Sequence, residues 1–300
     1  MFKNANGQVR AGWLIALALL LMFIGQIIFS IPGTFFLILK DAVVEDGGIS
    51  FEVDGTREWI FLLTNGAGTV GGLFAVLLVW RLINKEKFTR MGLRWQATDL
   101  IFGLVLGALS ITIIFIFLYA TGQITLVNAL SAPEFSMFTL LFFIMFIFVG
   151  LFEEIFFRGY IISTMASRHN KRWFIYVASA LIFSIVHGTN PNVTLLGLVN
   201  IALVGLLFAF MFDVTKSLWL PIGYHITWNF FQGNVFGFAV SGLPSDSIYS
   251  IEQQTDSTLW TGGSFGLEGG LLATIVIAIS FFITYIYGKQ KALKDNPTFW

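Results

Sequence analysis

Residues 152–160 read FEEIFFRGY, so Glu153, Glu154 and Arg158 sit inside one of the most apolar stretches of the chain. Two more polar groups interrupt apolar runs, in FSIVH ending at His187 and in HITWN from His225 to Asn229. An ionisable residue within a membrane span is costly unless it faces a partner or a water-filled cavity, which makes all three clusters functional candidates. Glu154 and Arg158 are four apart, stacked on one helix face and able to pair. Glu153 is turned about 100° away and is free to point elsewhere. His225 and Asn229, also four apart, project from one face of their own helix. A glutamate can take a proton from water as a general base. A histidine can orient that water or hold a metal, and His with Asn can donate hydrogen bonds to a developing oxyanion. The plainer reading of the first cluster is a structural ion pair, which accounts for Glu154 but leaves Glu153 without a partner.

The routes left out are informative. Cysteine is absent, which removes disulfides, thiolate ligands and a Cys nucleophile. No serine elbow, aspartyl pair or HExxH motif occurs. What remains is water activated by glutamate and histidine, that is, hydrolysis, with an amide as the expected target.

The elements that must position these groups are membrane spans. The 300 residues are 56% hydrophobic and 11% charged, with a mean hydropathy of +0.82; soluble domains carry about 25% charged residues. The formal net charge is zero, which argues against a nucleic-acid partner. A spanning helix needs about 20 mostly apolar residues. Eight segments are predicted as spans on that basis: 11–32, 59–82, 100–120, 135–166, 173–188, 194–213, 217–236 and 267–287. The first is too long for a signal-peptide core and no small-residue cleavage pattern follows it, so it is expected to be retained.

Charge placement sets the orientation. With the N- and C-termini cytoplasmic, the inner side receives Lys3, Arg10, Arg81, Lys85, Lys87, Arg90, Arg94, Arg168, Lys171, Arg172, Lys216, Lys289, Lys291 and Lys294. The outer side keeps Lys40 and Arg57 and takes the acids Asp41, Glu45, Asp46, Glu52, Asp54, Glu58, Asp246, Glu252 and Asp256. This is the positive-inside pattern. The fold class expected is an all-α polytopic integral membrane helical bundle of about eight transmembrane helices. The whole chain, 1–300, reads as a single transmembrane domain with a motif-bearing core over 135–236. At 1.5 Å rise per residue, Glu153, His187 and His225 lie about 18, 21 and 12–18 Å from the inner ends of their helices. They are therefore expected to share one slab of the bilayer and to line one wet hollow, with Asn229 on its wall.

Taken together, EEIFFR, FSIVH and HITWN resemble the three motifs of the CPBP family, the CAAX proteases and bacteriocin-processing enzymes also known as Abi proteins: EExxxR, FxxxH and HxxxN in that order on separate helices. The resemblance implies an intramembrane endopeptidase in which Glu153 activates water and His187 positions or deprotonates it. Glu154 with Arg158 would support the site, His225 and Asn229 would form its oxyanion side, and Phe183 would pack its wall. It also implies a metalloprotease in the usual label of the family, with a divalent metal such as zinc on Glu153, His187 and His225, or a metal-free glutamate mechanism. The partners implied are the lipid bilayer and a membrane-associated peptide or protein: a prenylated CAAX-like tail, a bacteriocin leader or a membrane-bound regulator. The location expected is a multi-pass protein of a bacterial cell membrane.

The rival reading is a non-enzymatic immunity or transport protein whose polar clusters bind a peptide or relay protons. Pro221 could kink span seven as in transporters, but no repeat partner for that span is visible. The remaining polar residues take plainer expectations. Gln26, Asn65 and Asn200 read as interhelical hydrogen-bond formers and His169 as a solvated residue of the inner loop. Glu268, in TGGSFGLEGG, reads as a carboxylate at a helix N-terminus. Gly68/Gly72 and Gly103/Gly107 read as helix-packing pairs.

Overall fold

The computed structural model describes the chain except at residues 1, 5, 46–47, 52–58, 60, 244–245, 255–257 and 296–300. The outer-side charges Asp46, Glu52, Asp54, Arg57, Glu58 and Asp256 therefore lie outside the described residues. The α-helices of five or more residues are, in chain order, α1 Ala11–Asp41, α2 Ala67–Val79, α3 Ala97–Ala120, α4 Met137–Glu154, α5 Ile162–Ala166, α6 Arg172–Val186, α7 Leu195–Thr215, α8 Trp219–Phe230 and α9 Leu271–Asp295. The short antiparallel pairs Ala42–Glu45 with Gly48–Phe51 and Ile124–Leu126 with Ile251–Gln253 are the strands among the described residues. The protein is a polytopic helical bundle.

Among the described residues, seven helical stretches are long and apolar enough to cross a membrane. The predicted segment 217–236 is the exception. It forms α8 and a π-helical turn, Phe231–Val235, a combined length short of a full crossing. Every residue of α8 from Leu220 to Asn229 is buried, so this helix is the protein interior rather than a lipid-facing wall. Its length needs to match the bundle, not the bilayer. α1 also departs from expectation, running through Pro32 to Asp41.

Glycine sets how closely helices approach α8. A Cβ at Gly103 or Gly107 of α3 would run into the carbonyl oxygens of Leu220 and Tyr224, and one at Gly223 would sit 2.5 Å from the Leu100 oxygen. The seam is completed by Thr227 Oγ1, which donates to the Leu104 carbonyl at 2.8 Å, and by Tyr224 Oη, which donates to Ser110 Oγ at 3.1 Å. The bundle is closed by α9, whose Lys291 meets the buried Asp99 at 2.7 Å while Tyr287 Oη donates to the same carboxylate at 2.7 Å. The packing role expected for Gly103/Gly107 is thus an α3–α8 seam, and Gly68 and Gly72 serve α1 and the Phe152 ring in the same way.

The seam makes a test. Gly107→Ala should cost about 1–3 kcal/mol through overpacking, read as a lowered unfolding midpoint in detergent. Gly12→Ala, where a new Cβ meets nothing within 4 Å, should leave the midpoint unchanged or raise it.

Candidate functional site

α4 stops being an α-helix at Glu154, and the next seven residues, Ile155–Ile161, wind as a π-helical turn before α5 resumes. Single π turns of this kind recur at functional sites. The turn carries Arg158, which is fully buried, as is Glu154. Arg158 Nη1 donates to Glu154 Oε1 at 3.0 Å and Nη2 donates to the Gly205 carbonyl at 3.3 Å. The guanidinium carbon lies 4.3 Å from the Phe183 ring centre and 5.0 Å from that of Phe208, where aromatic faces offset part of the cost of a buried cation. The i,i+4 pair expected from sequence therefore exists, with a third member. His225 Nδ1 lies 2.9 Å from the same Glu154 oxygen. A carboxylate that already serves Arg158 can only accept, so His225 holds its proton on Nδ1 and presents Nε2.

That Nε2 lies 3.7 Å from Glu153 Oε2, too far for a direct hydrogen bond and suited to a bridging water. Glu153 is partly exposed, at 18% for its side chain. His187 caps the C-terminus of α6, and its Nδ1 is 2.7 Å from the Phe183 carbonyl. A carbonyl accepts, so this ring also carries its proton on Nδ1 and leaves Nε2 free. Phe183 thus does more than pack a wall: its ring covers Arg158 and its carbonyl orients His187. Glu153, His187, His225 and Asn229 all line one cavity of about 440 Å³. The cavity is walled by α1, α2, α4, α6, α7, α8 and α9. Asn229 is buried and its amide takes no hydrogen bond from the described residues.

Polar residues outside the motifs also reach this cavity, among them Gln26, Asn65, Asn200 and Glu268. Asn200 makes the interhelical bonds expected of it, donating to the Glu268 and Gly270 carbonyls at 2.8 and 2.9 Å. Gln26 does not, and is taken up below. Glu268 differs most from expectation. It sits in the turn Leu267–Gly269 before α9, buried on the cavity wall rather than merely capping a helix. Its Oε1 accepts from the Ser241 amide at 3.2 Å and from Ser241 Oγ at 3.1 Å, and its Oε2 accepts from Gln232 Nε2. Burial pushes its pKa up; the Gln232 and Ser241 hydrogen bonds oppose that shift without cancelling it. The sequence signal was the glycine context. Gly266 has φ +98, and a Cβ there would be 2.9 Å from Gln232 Nε2 as well as against the Ala239 carbonyl. His169, by contrast, is exposed in the turn between α5 and α6.

The residues suggested as metal ligands, Glu153, His187 and His225, do not assemble into a centre in this arrangement. Among the described residues no three His, Asp or Glu side chains are placed to hold a metal ion. Each imidazole has Nδ1 engaged, by Glu154 or by the Phe183 carbonyl, and Nε2 free, the orientation that second-sphere partners also give to metal-ligating histidines.

Fold and cavity together define a multi-pass membrane protein that keeps titratable groups around an interior hollow. Residues 135–231, which hold all three motifs, match the family model described as "Type II CAAX prenyl endopeptidase Rce1-like". That segment, about a third of the chain, is thus similar to the CAAX-protease family that the three motifs resemble. No curated protein matches the chain significantly.

Two outcomes follow from the geometry. Glu154→Ala strands Arg158 as an uncompensated buried charge and should cost about 3–5 kcal/mol, measured by thermal or denaturant unfolding in detergent. An acid whose folded-state pKa is raised contributes stability at low pH that is lost as the pH rises through the folded value. Stability of the wild type should therefore fall relative to Glu268→Gln as the pH rises from the ordinary carboxylate value through the raised one, since the amide cannot ionise.

Proposed function

We propose that the protein is an intramembrane endopeptidase that hydrolyses a peptide bond with water activated by Glu153. The observation that carries this reading is the placement of Glu153, His187, His225 and Asn229 on one interior cavity, with Glu153 Oε2 and His225 Nε2 3.7 Å apart. A water bridging those two atoms gives its proton to Glu153 and attacks the carbonyl carbon of a bound peptide. Asn229, whose amide has no partner among the described residues, donates a hydrogen bond to the oxygen that becomes negative. The proton held between Glu153 and His225 then passes to the departing amine. His187 Nε2 orients the water or the peptide from the end of α6. Glu154 acts through His225, holding its tautomer and ring direction, while Arg158 holds Glu154 in place by an ion pair at 3.0 Å.

The substrate class is a peptide already held at the membrane. The family description favours a prenylated CAAX-type tail, and a bacteriocin leader or membrane-bound regulator stands behind it. The expected orientation, N- and C-termini on the cytoplasmic side of a cell membrane, suits access from the cytoplasm or laterally from lipid.

The test uses purified protein in proteoliposomes and a fluorogenic farnesylated CAAX peptide. Glu153→Gln should lower turnover about 10²–10⁴-fold with an unchanged unfolding midpoint. Dialysis against a chelator should leave wild-type turnover intact; a loss restored by zinc would instead make Glu153, His187 and His225 ligands. Binding of the peptide without cleavage by the wild type, unaltered in Glu153→Gln, would make the protein a binder and end the endopeptidase reading.

A further inference from the structure

Gln26 lies in the middle of α1, far in sequence from every motif and outside the matched segment. An amide within a membrane helix ordinarily bonds a neighbouring helix, because lipid offers it nothing. The side chain of Gln26 makes no such bond among the described residues, although it lines the same cavity as Glu153. Of the other amides lining the cavity, Asn200 holds two carbonyls and accepts from Thr274 Oγ1 at 2.6 Å, Asn190 Nδ2 donates to the Ser241 carbonyl at 3.1 Å, and Asn65 reaches the adjacent Thr64 Oγ1 at 3.4 Å; Asn229, already given to the oxyanion side, is the other amide turned to the hollow. Ser30, one turn beyond Gln26, is likewise satisfied by the Gln26 and Thr64 carbonyls at 2.7 and 2.9 Å.

The space around Gln26 is kept open by glycine. A Cβ at Gly72 would come within 3.0 Å of Gln26 Cγ and 2.8 Å of the Phe152 ring. Gln26 and Phe152 therefore converge on one glycine, and Phe152 is the residue immediately before Glu153. The amide lines the same cavity as the proposed base, on a wall it shares with Ser30, Thr64, Asn65 and Thr69. Binding cavities of this kind fix a ligand's orientation with a few placed polar groups. A primary amide offers donors and an acceptor together, the complement of a peptide unit.

We propose that Gln26 is a substrate-positioning residue whose side-chain amide hydrogen-bonds the main chain of an extended peptide lying in the cavity next to Glu153. The proposal rests on the endopeptidase reading and adds to it a residue that sets which peptide bond reaches the water.

Gln26→Leu keeps size and suits a membrane helix, so the variant should insert and melt like the wild type. With the fluorogenic farnesylated CAAX peptide in proteoliposomes, it should raise KM about tenfold, the worth of a single hydrogen bond, with kcat within about twofold. Peptides carrying one backbone ester in place of an amide should reveal a position where the ester weakens wild-type binding but costs Gln26→Leu nothing, because the partner is already gone. Equal ester profiles in both proteins, or an unchanged KM, would overturn the proposal. A lowered unfolding midpoint with proportionate loss of kcat would also overturn it, by making Gln26 structural. If the wild type binds the peptide without cleaving it, the endopeptidase reading falls; Gln26 is then judged on binding alone, where an unaltered affinity in Gln26→Leu refutes it and a tenfold loss upholds it.

Discussion

A fully buried arginine is the constraint around which this bundle is organised. Arg158 has no access to water, and no single neighbour neutralises and solvates it. Glu154 supplies the charge, Gly205 a carbonyl, and Phe183 and Phe208 two aromatic faces. Removing a cation from water costs several kcal/mol, recovered only when geometry and hydrogen bonding are both good. Those groups come from α4 and its π turn, α6 and α7, so meeting the needs of one side chain draws three helices to a common point.

The same solution serves the cavity. Glu154 has one oxygen shared between Arg158 and His225, which turns the imidazole so that its second nitrogen faces Glu153. Phe183 covers the guanidinium with its ring and aims His187 with its carbonyl. A structural ion pair and a reactive site are often treated as alternatives for a buried glutamate; here the ion pair is what orients the groups of the site. On the opposite wall Glu268, Ser241, Gln232 and Asn200 join the segments before α9 and after α8, where glycines let backbones meet closely.

Legibility in the sequence followed the length scale of each interaction. The helical membrane class was readable because hydropathy is a local sum, and the pairs Glu154–Arg158 and His225–Asn229 because i,i+4 neighbours are set by helix geometry alone. The extent of span seven, 217–236, was readable to within two residues, since α8 and its π turn run from 219 to 235, but apolar composition cannot tell lipid from protein, and α8 is surrounded by protein. Glu268 was read as a helix cap because its partners Ser241 and Gln232 lie 27 and 36 residues away. Gln26 was assigned an interhelical bond that the packing of α1 against Gly72 does not provide.

What the chain's sequence determined by itself, then, was its solvent, its helices and the identity of its scarce polar side chains, since each depends on residues within a few turns of one another. Which carboxylate would hold His225, which would face the cavity, and that Phe183, Gln26 and Glu268 would share its walls were settled only in three dimensions. Those outcomes depend on how helices rotate and approach, and the rotation is decided by glycine contacts and by one buried charge whose partners come from distant parts of the chain.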